Sequence, residues 1–519
     1  MNTPSCFGAL RLDQPAKKWL LVLGLFSAST SHAQQIVCER LLTTPGLEVP
    51  YPTACTAPNG EFIVSGAARP AGTASLATHT FVARLGANGC DTLWQRRLPH
   101  TVPAYSISAV QADARGLWLL TYDTAVANTV GVRLWRLNSA GRIRRKCSLP
   151  ARTYREFPTY LLPATDGGVY ALTYSLSSAP GAARAPAVLR FDSTGTQRWR
   201  HNYGFASPNE GVNLLYTPTG TVLLTGMTST SNANPASHYR LLEVEPSRGD
   251  SLRGTQVPWG PGVVYEMANN YNNQPLDAIA LTGGGYALLS RVTTTQSSRN
   301  TFEQLARVDA NYNVLWRYQL PLYGSGADFL SFMQARELGD GTLVALVRPF
   351  YPNRTFWVYR FNAATGALLN VYPFTSAFGT LQLSPSHLLP VVADSTLLVV
   401  GSSQVAGTTQ VGGIYVARLR VPGLPRVVTP ALPLAARPGA AMLAFALYPN
   451  PAHDAVTVAL PAGSGPGQLE LRDALGRLVR TQDAGTAPGR WSLAGLAPGL
   501  YAVVWRGVGG TTVRRLAVE

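Results

Sequence analysis

The sequence predicts an all-β chain: a ring of repeated four-stranded sheets and, behind a linker, a small β-sandwich. Three observations lead there. Gly (49) and Pro (38) are abundant while only 13% of the 519 residues are charged, a balance suited to many short strands joined by tight turns. A turn-and-strand unit recurs seven times between residues 58 and 401. The stretch 447–519 runs in short alternating apolar and polar segments broken by Gly and Pro, the pattern of a small antiparallel sandwich.

The chain opens on a secretory signal. Lys17 and Lys18 precede the apolar run 19–26, and Ser31-His32-Ala33 offers a small-x-small cleavage site. Residues 1–33 therefore read as a signal peptide, too short and too weakly flanked to be a membrane span. Cys38 lies past the site without the context of a lipoprotein signal. No later stretch reaches about 18 consecutive apolar residues, so a soluble mature chain without a transmembrane segment is expected.

Residues 35–421 repeat. One half of the unit is a turn and a strand: PNGEFIVSG (58–66), DARGLWLLT (113–121), TDGGVYALT (165–173), PTGTVLLTG (218–226), GGGYALLSR (283–291), GDGTLVALV (339–347) and ADSTLLVVG (393–401). The other half is strand, turn, strand, as in FVARLGANGCDTLWQRRLP (81–99) and EQLARVDANYNVLWRYQLP (303–321). Asp-Gly and Gly-Gly supply the positive φ of tight turns, and β-branched and aromatic residues favour the strands that follow. The second turn carries glycine at its fourth position in most copies; Tyr312 stands where that glycine belongs. With a further strand such as AYSISAVQ (104–111) ahead of each Gly turn, a unit holds four strands over roughly 52 to 65 residues, the signature of a β-propeller.

The seventh copy, IYVARLRVPGLP (414–425), stops after one strand, while 36–42 resembles the missing outer strand without its partners. Cys38 falls there where Trp94, Trp199 and Trp316 fall in other copies. The expectation is a seven-bladed β-propeller closed by the N-terminal strand, which would cover an otherwise open edge. Six or eight blades, or two stacked sheets, are the alternatives. Residues 422–446, with five prolines, read as a semi-rigid linker.

Three motifs mark the C-terminal stretch: Tyr448-Pro449-Asn450-Pro451 at its start, Asp473-Ala474-Leu475-Gly476-Arg477 in its middle, and Leu496-Ala497-Pro498-Gly499-Leu500-Tyr501 before the last hairpin. In these it resembles the type A C-terminal sorting domain of proteins exported by the bacterial type IX secretion system. That resemblance implies recognition of 447–519 by the outer-membrane translocon, removal by a sortase-like peptidase, and attachment to anionic lipopolysaccharide at the cell surface. The repeats are likewise similar to the DGGY…KLD-x-x-G-x-x-x-W units of exported propellers carrying this domain, with Arg in place of Lys, as in Arg307-Val308-Asp309.

The formal net charge of +16 comes almost entirely from dispersed arginines. Arg142, Arg144, Arg145 and Lys146 form the one dense cluster, so a nucleic-acid partner is not expected; an anionic surface partner is compatible with the charge. Past the signal peptide remain Cys38, Cys55, Cys90 and Cys147, for which export makes disulfides plausible in any of three connectivities, with buried thiols or one bridge as the plain expectation. No metal-ligand spacing, nucleophile elbow or phosphate loop occurs, and no cofactor or metal is expected. Turn chemistry accounts for Asp166-Gly167 and Asp340-Gly341, and packing between blades for the three tryptophans.

One segment departs from the repeat. PWGPGVVYEMANNYNNQPLD (258–277) offers Trp259, Tyr265 and Tyr271 as flat apolar faces and Asn269, Asn270, Asn272 and Asn273 as paired donors and acceptors, a mixture suited to a glycan or peptide. The bland reading is a solvated insertion rich in turn-forming asparagines. The functional expectation is a surface-anchored binding or adhesion module, with the balance leaning away from an enzyme. Its alternatives are a polysaccharide-acting propeller, whose channel would hold two carboxylates roughly 5 to 9.5 Å apart, and a structural surface protein.

Overall fold

The computed structural model describes residues 35–71, 77–104, 108–125, 129–148, 155–176, 185–203, 209–229, 237–257, 275–293, 301–320, 330–349, 353–391, 394–408, 411–425, 445–460, 467–473, 477–484, 489–507 and 510–519. The expected signal peptide and the aromatic- and asparagine-rich stretch 258–274 lie outside them. Every regular element among the described residues is a β-strand, and the architecture is propeller-like.

Ahead of residue 425 the described strands form seven antiparallel sheets. The sheet of the fifth unit shows the plan: Pro275–Ala280, Tyr286–Thr293, Thr301–Val308 and Val314–Gln319 pair in sequence order. The leading strands of the sheets are Thr53–Thr56, Ser108–Asp113, Arg155–Pro163, Asn209–Tyr216, Pro275–Ala280, Leu330–Glu337 and Leu381–Pro390. Each lies against the leading strand of the next sheet, and Leu381–Pro390 lies against Thr53–Thr56. Gln35–Leu42 pairs antiparallel with Val411–Arg420, Ile36 opposite Leu419 and Leu42 opposite Ile414.

Two expectations are adjusted. The first sheet holds a fifth, short strand, Leu47–Glu48, fixed where buried Glu48 meets Arg69 at 3.3 Å. The strand expected at 104–111 is split: Thr92–Ala104 runs on longer than the repeat implies, and the leading strand begins at Ser108. Leu424, inside the 422–446 stretch, is buried with the last sheet. Gly423 occupies the repeat's second turn at φ 69°, which lets Leu424 tuck into the core beside Tyr372 and Leu419.

Second strands such as Thr342–Pro349 are buried along nearly their whole length, because both faces meet neighbouring sheets. The apolar contacts run between sheets: Phe356 and Tyr372 of the sixth pack with Tyr415 and Leu397 of the seventh. Each such large side chain contributes roughly 2–3 kcal/mol by burial.

The arginines are part of this frame. On third strands Arg136 meets Asp113 at 2.7 Å, Arg190 meets Asp166 at 2.5 Å and Arg360 meets Asp340 at 2.6 Å; Arg84 pairs with Glu61 and Arg418 with Asp394 in the same way. The acid comes from the sheet's own Gly turn, so the Asp-Gly pairs serve both the turn and an ion pair. Among the described residues no group of His, Cys, Asp and Glu could hold a metal.

Outer strands lock onto the second turn of the next sheet. The indole Nε1 groups of Trp94, Trp199 and Trp316 donate to the carbonyls of Ser139, Pro246 and Ala363 at 3.0, 3.2 and 3.0 Å. The ring of Trp316 lies so close to Gly366 (φ 73°) that a Cβ there would come within 2.5 Å of it. Two further junctions use other devices. Cys38, at the tryptophan register, forms a disulfide with Cys90, the neighbour of turn residue Gly89; Cys55 and Cys147 are free thiols. Arg253 takes the tryptophan register of the fourth sheet, and Tyr312 replaces the turn glycine of the fifth while keeping its positive φ of 69°. The guanidinium lies 4.6 Å over the Tyr312 ring, and the phenol donates to Glu243 at 2.5 Å. The aromatic has moved from strand to turn.

Candidate functional site

A chain of polar side chains runs along the leading strands. Register shifts fall between Pro158 and Tyr160, Gly211 and Asn213, Pro275 and Asp277, Phe332 and Gln334, and Pro385 and His387. A bulge leaves backbone N–H groups without a ladder partner, and they must be satisfied elsewhere. Here the polar residues do it. Asn213 Oδ1 accepts from Leu214 N at 2.7 Å and Asp277 Oδ1 from Ala278 N at 3.0 Å. Gln334 Oε1 reaches the next sheet, accepting from Leu388 N at 2.9 Å.

These groups join one sheet to the next. Asn213 Nδ2 donates to Asp277 Oδ1 and to the Ala278 carbonyl, both at 3.0 Å. Arg336 donates through one terminal nitrogen to Asp277 Oδ2 and through the other to Gln334 Oε1, both at 2.9 Å. The path spans the fourth to the seventh sheet. Burial raises the Asp277 carboxyl, opposed by the charge and hydrogen bonds of Arg336. Burial pushes the His387 imidazole down to about 3, with Arg336 adding in the same direction. Burial likewise lifts the Tyr160 phenol and the Cys55 thiol, each to about 12. The belt is thus neutral apart from one internal ion pair. Its carboxylate is engaged by Arg336 and three nitrogens of its neighbours, which suits holding sheets together better than moving protons.

His387 carries a pH signature. Its folded pKa of about 3 lies below the ordinary imidazole value of about 6.5, so the unfolded chain binds a proton that the folded chain refuses. The stability it confers is complete above about pH 6.5 and is lost as pH falls toward 3. His387→Gln should flatten that acid loss by about 2–4 kcal/mol, read from urea melts at pH 7 and pH 4. Equal acid losses in both proteins would exclude this role.

Sequence reasoning missed this chain, although a signal exists. Tyr160, Asn213, Asp277, Gln334 and His387 each stand seven residues ahead of the Gly-turn position occupied by Gly167, Gly220, Gly284, Gly341 and Asp394. Trp259, Tyr265, Asn269, Asn270, Tyr271, Asn272 and Asn273 lie outside the described residues and are not brought together with it.

The second candidate is the C-terminal sandwich. A three-stranded sheet (Ala446–Tyr448, Ala455–Ala459, Gly489–Ser492) faces a four-stranded one (Gly467–Arg472, Leu478–Ala484, Gly499–Gly507, Gly510–Val518). Between them Val456, Leu469, Trp491, Trp505 and Leu516 form the core.

The three motifs close its turns. Asn450 brackets the last strand, donating to the Arg515 carbonyl at 2.8 Å and accepting from Ala517 N at 2.9 Å. Pro451 leads straight into Ala452, which bridges Val518 in parallel. Asp473 caps its turn, accepting from Arg477 N at 2.9 Å and Arg477 Nε at 2.7 Å; Gly476 lies outside the described residues. Beyond Pro498 and Gly499, the Tyr501 hydroxyl donates back to the Ala497 carbonyl at 2.8 Å. Tyr448, Pro449 and Leu500 stay on the surface, with Leu478 exposed beside the Asp473 turn.

Residues 446–519 match the secretion system C-terminal sorting domain. Comparison with curated proteins gives no match. Among solved structures the chain is similar to a protein of unknown function from Dyadobacter fermentans DSM 18053 (13% identity, 75% of this chain and 99% of that one, TM-score 0.46). It is also similar to a quinohemoprotein alcohol dehydrogenase from Comamonas testosteroni (9%, 74% and 77%, 0.39) and an α-L-arabinofuranosidase from Fusarium graminearum (13%, 61% and 93%, 0.38). Likeness at this level bears on neither activity nor ligand.

Proposed function

From the premise that residues 446–519 are a type IX sorting domain, which directs a chain to the cell surface or beyond it, we propose that this protein is an exported, surface-held binding module. Its business end is then a seven-bladed propeller over 35–421, with the N-terminal strand completing the last blade. The sorting domain carries the reading. The repeated ion pairs, the turn locks between sheets and the polar chain across the leading strands support a rigid display scaffold. Asp277, held by Arg336 at 2.9 Å, belongs to that scaffold.

Export is tested directly. Deleting 447–519 should leave the remainder in the periplasm, whereas the full chain reaches the surface and loses this domain near the 422–447 stretch. Surface labelling with periplasmic fractionation reads both outcomes. A truncated chain that still reaches the surface removes the sorting assignment.

A further inference from the structure

We propose that the outer strands of the first and second sheets form a docking surface for a linear acidic polysaccharide. Those strands are Thr92–Ala104 and Ile143–Ser148, each the edge of its sheet. Neither contains an aspartate or glutamate. They and the turn between them expose Arg96, Arg97, Arg142, Arg144, Arg145 and Lys146.

The contrast with the rest of the ring carries the inference. Third-strand arginines such as Arg136 and Arg360 are matched to acids of their own sheets, so their charge is spent within the fold. The six outer cations have no carboxylate partner among the described residues. Arg96 adjoins the Arg142 turn, Arg144 and Lys146 follow on the strand after it, and the stem of Arg145 lies over Gly195 of the third sheet. The stem of Arg96 lies against Gly141, its Cγ 3.1 Å from where a Cβ would stand, which sets it beside Arg142. An open cleft of ≈ 400 Å³ continues the strip on the other side, lined by Thr43, Thr44, Gln95, Arg96 and Arg97.

Guanidinium groups in a row match the planar carboxylates or sulfates of an extended polymer, two hydrogen bonds at a time. The aromatics nearby are not free to stack on bases. Trp94 donates to Ser139 and covers Gly141, and Trp135 is buried. Single-stranded nucleic acid relies on such stacking. A polyanion held by charge alone fits better. The proposal rests on the surface-binding reading above, and places the ligand on the ring's edge.

The test uses the purified full chain after signal removal, with heparin and polygalacturonate as probes and salt-dependent affinity as the readout. Arg144→Gln with Arg145→Gln should weaken binding at least tenfold and reduce the salt slope by about 1 for each contacting charge removed. The control pair Arg248→Gln and Arg420→Gln removes equal charge elsewhere and should change affinity less than twofold. Equal losses in both pairs, unchanged binding in the first, or binding only to poly-glutamate or DNA would each overturn the proposal. Because binding is measured in solution, its failure leaves the sorting assignment standing. Conversely, a protein that binds but is not exported breaks only that assignment.

Discussion

Replacing Cys38 and Cys90 with serine is expected to lower stability by about 4 kcal/mol, as closure of a loop of 52 residues implies. The location makes the loss consequential. The bond ties the N-terminal strand to the first sheet, at the register where other sheets use a tryptophan against a glycine. That strand also pairs with Val411–Arg420, and Glu39 accepts from the buried Tyr415 hydroxyl at 2.9 Å. Without the bond the strand can peel away, leaving an unpaired edge. Denaturant melts should show the serine variant and reduced wild-type protein falling together. A reduced wild type as stable as the oxidised one would show that the bond secures nothing.

Asp277→Ala should cost about 3–5 kcal/mol, because it strands the Arg336 charge and the Ala278 and Asn213 donors in a buried setting. Asp277→Asn keeps the shape and restores part of the loss. Arg336→Met together with Asp277→Ala should be milder than the sum of the two single changes, since the pair then leaves together. A double-mutant cycle by urea denaturation measures this. Strict additivity would mean that the two side chains do not act as a unit.

The strands and the turns were legible because each rests on local chemistry: glycine where φ is positive, alternation where one face is buried. Gln35–Leu42 could be placed beside Val411–Arg420 because each was half of something found whole elsewhere. The sorting domain was legible from three short motifs, which the structure explains as turn closures by Asn450, Asp473 and Tyr501. The polar chain was not. Its members differ in type, from Tyr160 through Asp277 to His387, and what unites them is a bulge that no propensity announces. The arginine pairing was hidden for a similar reason. Arg190 and Asp166 lie 24 residues apart, and only strand pairing reveals that they face each other. Likewise, Tyr312 departs from the turn pattern for a reason that lies in another sheet, where Arg253 stands in the tryptophan's place.

That exchange bears on how a chain of near-copies avoids assembling in the wrong order. Units this alike could trade neighbours while folding, giving rings with swapped or skipped members. The fifth unit, with a tyrosine at its turn, cannot seat on an outer strand that presents tryptophan: where Gly366 meets Trp316, even a Cβ would collide. It fits the fourth, whose Arg253 and Glu243 receive the phenol ring. The first unit is keyed separately, by the covalent bond between Cys38 and Cys90. Sequence divergence at these contacts thus sets two junctions apart from the three that seat a tryptophan on the next turn.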